Sequence, residues 1–519
     1  MPFMDTHVAV RFLGGVSNYT EATDPGCVDH VGPPAASGVD RPGIWCDLVT
    51  RDRSTGQLRS RFDLVQSRLD RFVRAGMDVL IVLDNVPWAF VHNKTYTGPC
   101  QSFGCQYLPP DDPQEFAEWV GELAAHIKQV YGEEFASRVR WRLGTEANGP
   151  RWSDRGKFFH RYIESYQHTA AALRRVLPAA QFGASNWVEV VGNSGNLTRN
   201  GSDWFQQHFY SRIRASDTPL DFISISHYGG GGRNQESENF PNPDWVERTP
   251  GGKIGQVELE AMRQMAQRPL ASLEVMEWSI LTNELRQPTW EPSSVGTAWS
   301  GASAATWMCH GVDRIFHWET GTTLRNSTGD NRILNFYEQW PWNMAFLELF
   351  VGGKARFSTF DQMRPGHPNR KLGVIESVVN GTYHALVATV GSRRKDAFTT
   401  EVILSTDAFQ DRSEKLQIEQ YQMDSSVSVI ETIIHELHGQ RGMLLHNDSL
   451  PYDIGRLLTP QGMKYAEAPE NLERYWTMHA NTFKPSPYRG SWQRRDGKIE
   501  FTFDAKAYTV VVIVARGAR

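Results

Sequence analysis

The stretch WRLGTEANGP, residues 141–150, decides how the rest of the chain is read. An apolar run stops at Gly144, and Glu146 follows at once in a turn of Gly, Asn and Pro. The run has the composition of a short buried strand, and the residues after it are those that let a chain turn. Most glutamates in such loops are simply solvated. What Glu146 does depends on the elements that flank its strand.

Those elements alternate. VAVRFL (8–13), DVLIVL (78–83), VRWRL (139–143), QFGAS (181–185), DFISIS (221–226), ASLEVMEW (271–278) and DRIFHW (313–318) read as strands. Between them, helical spacing of apolar residues predicts helices over 62–76, 113–132, 157–176, 202–215, 255–268 and 293–311, with a final helix over about 335–350. Strands alternating with helices imply parallel βαβ units. Seven such units in series predict an α/β fold, a (β/α)8-type TIM barrel rather than an open sheet. From VGGKAR (351–356) onward the pattern changes to short β-rich runs: KLGVIESVV, YHALVATV, TEVILST, IEFTF and YTVVVIV. That predicts a C-terminal β-sandwich, giving a barrel domain over 1–352 and an accessory domain over 353–519. VSVIETIIHELHG (427–439) fits either a strand and turn or a short helix.

Bulk composition sets the class. The chain has 519 residues, 40% hydrophobic and 22% charged, with a formal net charge of −5. It is a globular chain long enough for more than one core. No basic block is present, which excludes the usual nucleic-acid footprint. No apolar run reaches the roughly 18–20 residues that a membrane helix needs. Seventeen tryptophans raise a carbohydrate reading, since the C–H faces of sugars stack on indoles, although most tryptophans are core. There is no HExxH and the histidines are scattered, so neither a metal nor another cofactor is expected.

In a barrel of this kind the functional groups stand just past the C-terminal ends of the strands. Those ends supply Arg11, Asn148, Asn186, Trp187, His227, Tyr228, Trp278 and Trp318 as candidate substrate contacts. They also supply two glutamates, Glu146 and, 131 residues later, Glu277. Three strand–helix units separate the two, which sets them across the barrel mouth. Paired carboxylates over an aromatic-lined mouth suit glycoside hydrolysis: one donates a proton to the leaving oxygen, the other attacks the anomeric carbon. Glu274 has the opposite strand parity to Glu277 and is expected to point away from the axis in a structural role.

At this point the residues resemble a known group. VRFLGG, FDLVQSRLDRFVRAGMDVLIVLDNVPWAF, LGTEANGP, SLEVMEW, IFHWE and PWNMAFLELFVGGKA are similar to motifs of clan A retaining glycoside hydrolases, closest to glycoside hydrolase family 39, which holds β-xylosidases and α-L-iduronidases. The resemblance covers most of residues 8–355 and is patchy between motifs. It implies Glu146 as acid/base, Glu277 as nucleophile, and a carbohydrate substrate cleaved by double displacement. Two departures stand out. Thr145 occupies the place of the family's asparagine, which contacts the sugar 2-hydroxyl, so the substrate is expected to differ at that position. The two glutamates fall on the third and sixth strands of this chain, where the family has the fourth and seventh. The expectation is that a first βα unit is missing, with this chain starting late. A carbohydrate-binding protein on a glycosidase scaffold and a transglycosylase remain open as alternatives.

Cys27, Cys46, Cys100 and Cys105 lie in Gly/Pro-rich loop contexts and are candidates for two disulfides, with Cys309 left as a buried helical thiol. Sequons begin at Asn18, Asn93, Asn196, Asn200, Asn326, Asn380 and Asn447. Together these predict a secreted or extracellular glycoprotein, although MPFMDTHVAV is no signal peptide.

Overall fold

The computed structural model describes residues 8–13, 27–29, 44–46, 48–52, 54–74, 76, 78–84, 86–90, 109–148, 159–187, 202–228, 271–279, 294–317, 353–362, 370–391, 398–409, 415–437, 440, 442–443, 460–482 and 484–518. The predicted helices over 255–268 and 335–350 lie outside them. Contacts divide the chain into two compact units. One holds Asp5–His227 and Glu258–Glu277; the other holds Met1–Met4, Tyr228–Val257 and Trp278–Arg519.

In the first unit, β1 (Val8–Leu13), β2 (Val79–Asp84), β3 (Arg140–Leu143) and β4 (Gln181–Gly183) form a parallel sheet in that order. Every residue of β3 is buried, as expected of a parallel strand covered on both faces. After a two-residue break come β5 (Asn186–Trp187), β6 (Phe222–Tyr228) and β7 (Ser272–Ser279), again neighbours in sequence order. The helices between are α1 (Phe62–Arg74), α2 (Pro113–Arg138), α3 (Phe159–Val176) and α4 (Ser202–Ala215).

Local chemistry sets the helix ends. The Asp112 carboxylate caps α2 by accepting from the backbone N–H groups of Gln114 (2.9 Å) and Glu115 (3.1 Å), with Pro113 in the first turn. The apolar pattern stops at Gly132, where φ is 85°, but the chain only kinks there and winds on to Arg138. Phe116, Val120, Leu123, Ala124 and Ile127 form the buried stripe of α2.

The break between β4 and β5 governs which residues face inward. Phe182 stacks on Tyr166 of α3, with ring centroids 4.6 Å apart, so it faces the helices. Gln181 and Gly183 face the other way. The Phe222 ring lies directly over Gly183, where a Cβ would come within 2.1 Å of it. Asn186 pairs with Ser224 and its amide donates to Ser226 Oγ (2.6 Å), on the same side as Phe222. Gly183 and Asn186 thus share a face although three residues apart. Alternation breaks at Ala184–Ser185.

From Ser294 onward the second unit holds α5 (Ser294–Cys309) and β8 (Arg314–His317). Nine antiparallel strands follow: β9 (Arg356–Gln362), β10 (Arg370–Val379), β11 (Thr382–Gly391), β12 (Thr399–Thr406), β13 (Lys415–Met423), β14 (Ser486–Pro487), β15 (Ser491–Arg495), β16 (Lys498–Lys506) and β17 (Thr509–Ala518). They form a six-stranded sheet, order β9-β10-β11-β17-β13-β14, and a three-stranded sheet, order β12-β16-β15. Asn380–Gly381 and Asp496–Gly497 close two hairpins with φ positive at both turn residues, the two-residue geometry that matches strand twist. Val374, Tyr383, Ala385 and Val387 of one sheet share a core with Val402, Leu404, Ile499, Phe501 and Phe503 of the other.

The opposite face of the six-stranded sheet carries α5. A Cβ on Gly373 would come within 2.6 Å of Ala302 Cα, and one on Gly301 within 2.9 Å of Ala388 Cβ. Helix and sheet approach each other at glycine distance. Residues 427–439 resolve in favour of a helix, α6 (Val429–Leu437), with Val429, Ile433 and Leu437 buried at a spacing of four. Glu436 on α6 accepts from Arg474 and from Tyr475 (2.6 Å) of the helix Pro469–Thr482.

Cys309 is the last residue of α5 and is exposed, not a buried thiol as its apolar helix suggested; the helix ends before the chain turns inward again. Cys27 and Cys46 stand opposite each other in a two-stranded antiparallel ladder. Cys100 and Cys105 lie outside the described residues. Among the described residues no helix is long and apolar enough to cross a membrane.

Candidate active site

The end of β3 is held by hydrogen bonds from both sides. Gly144, at φ 76°, turns the chain and donates its N–H to Leu83 O of β2 (2.7 Å). Glu146 follows with φ 49°, a left-handed conformation that costs a non-glycine residue of order 1–3 kcal/mol. Its N–H donates to Asn186 O (3.0 Å), and the N–H of Ala147 donates to Ser185 Oγ (2.9 Å). Tyr162 of α3 completes the frame. Its hydroxyl donates to Leu143 O (3.1 Å) and accepts from Ser185 N–H (2.9 Å), tying the ends of neighbouring strands together. Burial pushes the Tyr162 phenol well above its usual range, so it stays a neutral donor. Glu146 itself is half-buried.

Thr145 is buried, and its Oγ1 accepts from Arg142 (3.1 Å), so this hydroxyl is engaged within the protein. Asn148 is buried one turn further on. Trp187 requires a correction. Its neighbour Asn186 faces inward, so Trp187 faces the helices, where it is fully buried. Its indole N–H donates to Tyr210 (2.6 Å) and its ring packs on Tyr162, Phe205 and Phe209. In this arrangement it is packing, not a sugar platform.

Glu274 also differs from expectation. It is buried and forms an ion pair with Arg140 of β3, while Ser272 Oγ donates to it (2.9 Å). Arg140 reaches there past Gln181 (2.8 Å) and across the face of Phe222 (4.2 Å). These groups lie on the face away from α3, so Glu274 points inward. The role is structural, as expected, but the orientation is not. An inward charge was unexpected because its partner, Arg140, comes from another strand with no sequence proximity.

The remaining candidates are placed by backbone alone. Arg11 sits in β1 opposite Val82. His227 and Tyr228 end β6, and Glu277 and Trp278 lie near the end of β7. The orientations of these five side chains lie outside what is described, and Trp318 lies outside the described residues. Among the described residues, no three His, Cys, Asp or Glu are grouped as metal ligands would be. Sequence reasoning passed over Arg142, Tyr162, Ser185 and Ser226, which build the frame. The one signal was a pair of charged residues, Arg140 and Arg142, inside a fully buried strand.

No family model matches the chain. An α-1,4-L-rhamnosidase from Formosa agariphila is 27% identical over 194 residues, covering 36% of this chain and 37% of that protein. The match thus spans little more than a third of that relative's length. Among solved structures, a monomeric β-xylosidase from Caulobacter crescentus CB15 superposes with a TM-score of 0.60 at 13% identity, over 91% of this chain and 87% of that one. A GH39 enzyme from Xanthomonas axonopodis pv. citri gives 0.59 at 14% identity, over 91% and 85%. The chain therefore has the fold of glycoside hydrolase family 39 enzymes, consistent with a (β/α) barrel followed by a β-sandwich.

Proposed function

We propose that this protein is a retaining glycoside hydrolase with Glu146 as acid/base and Glu277 as nucleophile. One observation carries the reading. Glu146 is held in a costly left-handed turn at a strand end by hydrogen bonds from the strand on either side, which a solvated loop glutamate does not need. In the first step Glu146 gives its proton to the glycosidic oxygen while a Glu277 carboxylate oxygen bonds to the anomeric carbon. In the second, Glu146 takes a proton from water, whose oxygen displaces Glu277. This places the two carboxyls about 5–5.5 Å apart. It also requires β7 to break alternation between Glu274 and Glu277, because Glu274 already faces inward. The pair β4–β5 breaks alternation in the same way.

The rhamnosidase similarity puts α-L-rhamnosides first among substrates, ahead of β-xylosides and uronides. Thr145 fits that order: it stands where the family has an asparagine against the sugar 2-hydroxyl, and its shorter side chain already accepts from Arg142. Residues 1–352 form the catalytic barrel and 353–519 the accessory domain. The chain acts outside the cell, with Cys27 and Cys46 bonded across their ladder.

The test is hydrolysis of a panel of aryl α-L-rhamnosides, β-xylosides, α-L-arabinosides and uronides. Glu146→Gln and Glu277→Gln should each lower kcat/KM at least about 10³-fold without loss of fold. Azide should restore turnover to Glu277→Ala with inversion of product. Near-full activity in either glutamine variant ends the assignment.

A further inference from the structure

Both ends of the Asn186 amide are engaged on the barrel side of the Glu146 turn. Asn186 opens β5 on the inward face, and none of its surface is exposed. Its Nδ2 donates to Ser226 Oγ of β6 (2.6 Å). Its Oδ1 accepts from the Glu146 N–H (3.4 Å), which also donates to the Asn186 backbone carbonyl (3.0 Å). One N–H is thus shared between two oxygens of a single residue, a three-centre bond.

The arrangement has one sense. An amide presents an acceptor at one end and donors at the other. The Glu146 N–H can only donate, so Oδ1 faces it and the NH2 end turns to Ser226, whose oxygen accepts. Turned over, the amide would set two donors face to face. Without the Ser226 hydroxyl, the NH2 group would lose its buried acceptor, a costly state.

A side chain with no exposed surface and both amide ends engaged has little to offer a sugar hydroxyl. It fits a tie that holds the turn. Glu146 sits at φ 49°, which costs energy, and its neighbours are each held by a side chain: Thr145 by Arg142 and Ala147 by Ser185. Asn186 supplies the tie at Glu146 itself, from the barrel side, while Tyr162 works from the helix side.

We infer that Asn186 is a positioning residue for the proton donor and not a sugar contact, with Ser226 holding its amide in place. This rests on the reading of Glu146 as acid/base.

The experiment compares two leaving groups on one sugar, using the full chain. The sugar is the one that the native chain cleaves fastest among α-L-rhamnosides, β-xylosides, α-L-arabinosides and uronides. It is carried as its 2,4-dinitrophenyl and its 4-methylphenyl glycoside. Dinitrophenolate leaves with little help from an acid, whereas 4-methylphenolate needs the proton. Asn186→Ala should lower kcat/KM at least about thirtyfold on the methylphenyl glycoside and less than about threefold on the dinitrophenyl glycoside. Ser226→Ala should show the same bias, with a loss of about five- to tenfold on the methylphenyl glycoside. Both substrates are read on one preparation, so any unfolded fraction cancels in their ratio. Equal losses on the two substrates in Asn186→Ala overturn the proposal, because a lost sugar contact or a loosened fold lowers both alike. If that variant does not fold, Ser226→Ala decides by the same criterion. Glu146→Gln is the reference. If its own loss is equal on both substrates, Glu146 is not the acid and the catalytic reading falls. If its loss is biased and those of Asn186→Ala and Ser226→Ala are not, the catalytic reading stands and the role of Asn186 alone is refuted.

Discussion

Removing one oxygen tests whether the frame around Glu146 matters. Tyr162→Phe keeps the ring and its aromatic packing but deletes the hydroxyl that joins Leu143 O to Ser185 N–H. Both backbone groups are then left buried without that partner. Each such loss costs about 1–2 kcal/mol, so the variant should be destabilised by about 2–4 kcal/mol. For a unit of this size that lowers Tm by roughly 5–15 °C. Catalysis should fall further than stability alone explains. Ser185 Oγ accepts from the N–H beside Glu146, so a shift of Ser185 moves Glu146. A displacement near 1 Å can cost on the order of 10²-fold in rate. The control lies one turn along the same helix. Tyr166→Phe removes the hydrogen bond to Pro219 O (2.8 Å), remote from the turn, and should cost about 1–2 kcal/mol. The assay is kcat/KM on an aryl glycoside at a temperature where both variants are folded, alongside thermal melts. Expected is a loss of at least about tenfold for Tyr162→Phe and less than about twofold for Tyr166→Phe. If the two variants retain the same activity, the tie between α3 and the strand ends does not position the glutamate.

Other consequences can be checked together. Burial pushes the His384 imidazole down to about 4, below its unfolded value of 6.5. The unfolded chain therefore binds a proton that the folded chain refuses, and stability present above pH 6.5 is lost as pH falls towards 4. Between pH 7 and pH 5 this amounts to roughly 1–2 kcal/mol in urea melts, and a His384→Asn variant should show that much less pH dependence. Gly373→Val drives its side chain into the backbone of α5, so it should lower Tm by several degrees, whereas Val378→Ala on the exposed side of the same strand should barely change it. A thiol reagent should modify Cys309 in the native chain, and a Cys309→Ser variant should lose that rapid phase; slow labelling of the native thiol would place it back in the core.

The sequence was most legible where one physical signal dominated. Buried apolar runs such as DVLIVL and YTVVVIV could hardly be anything but strands, and the stripe of α2 announced a helix. Gly132 misled because glycine usually ends a helix, while here the chain kinks and continues. Side-chain direction was harder to read. Asn186 and Trp187 were both expected at the site, yet neighbours on a strand face opposite ways, so only one could point inward. The break at Ala184–Ser185 decides which, and nothing in QFGASNW marks it. The same limit applied to Glu274, whose direction follows from a partner on a distant strand. At the candidate site, the glutamate itself was visible as a motif. The frame that holds it was not, because Tyr162 and Ser185 serve through backbone contacts that any tertiary arrangement could redistribute.

The glycine-close seat of α5 bears on how this chain can be cut. A fragment beginning at residue 353, the boundary that composition suggests, would carry every strand of the two antiparallel sheets and still be unfinished. Its six-stranded sheet would present Leu386, Ala388 and Val510 to water at the place where Gly301 and its helix belong. A separately expressed piece would need to begin before Ser294. The accessory unit thus includes a helix that composition assigns to its neighbour, and a change of boundary by shuffling would have to move that helix with it.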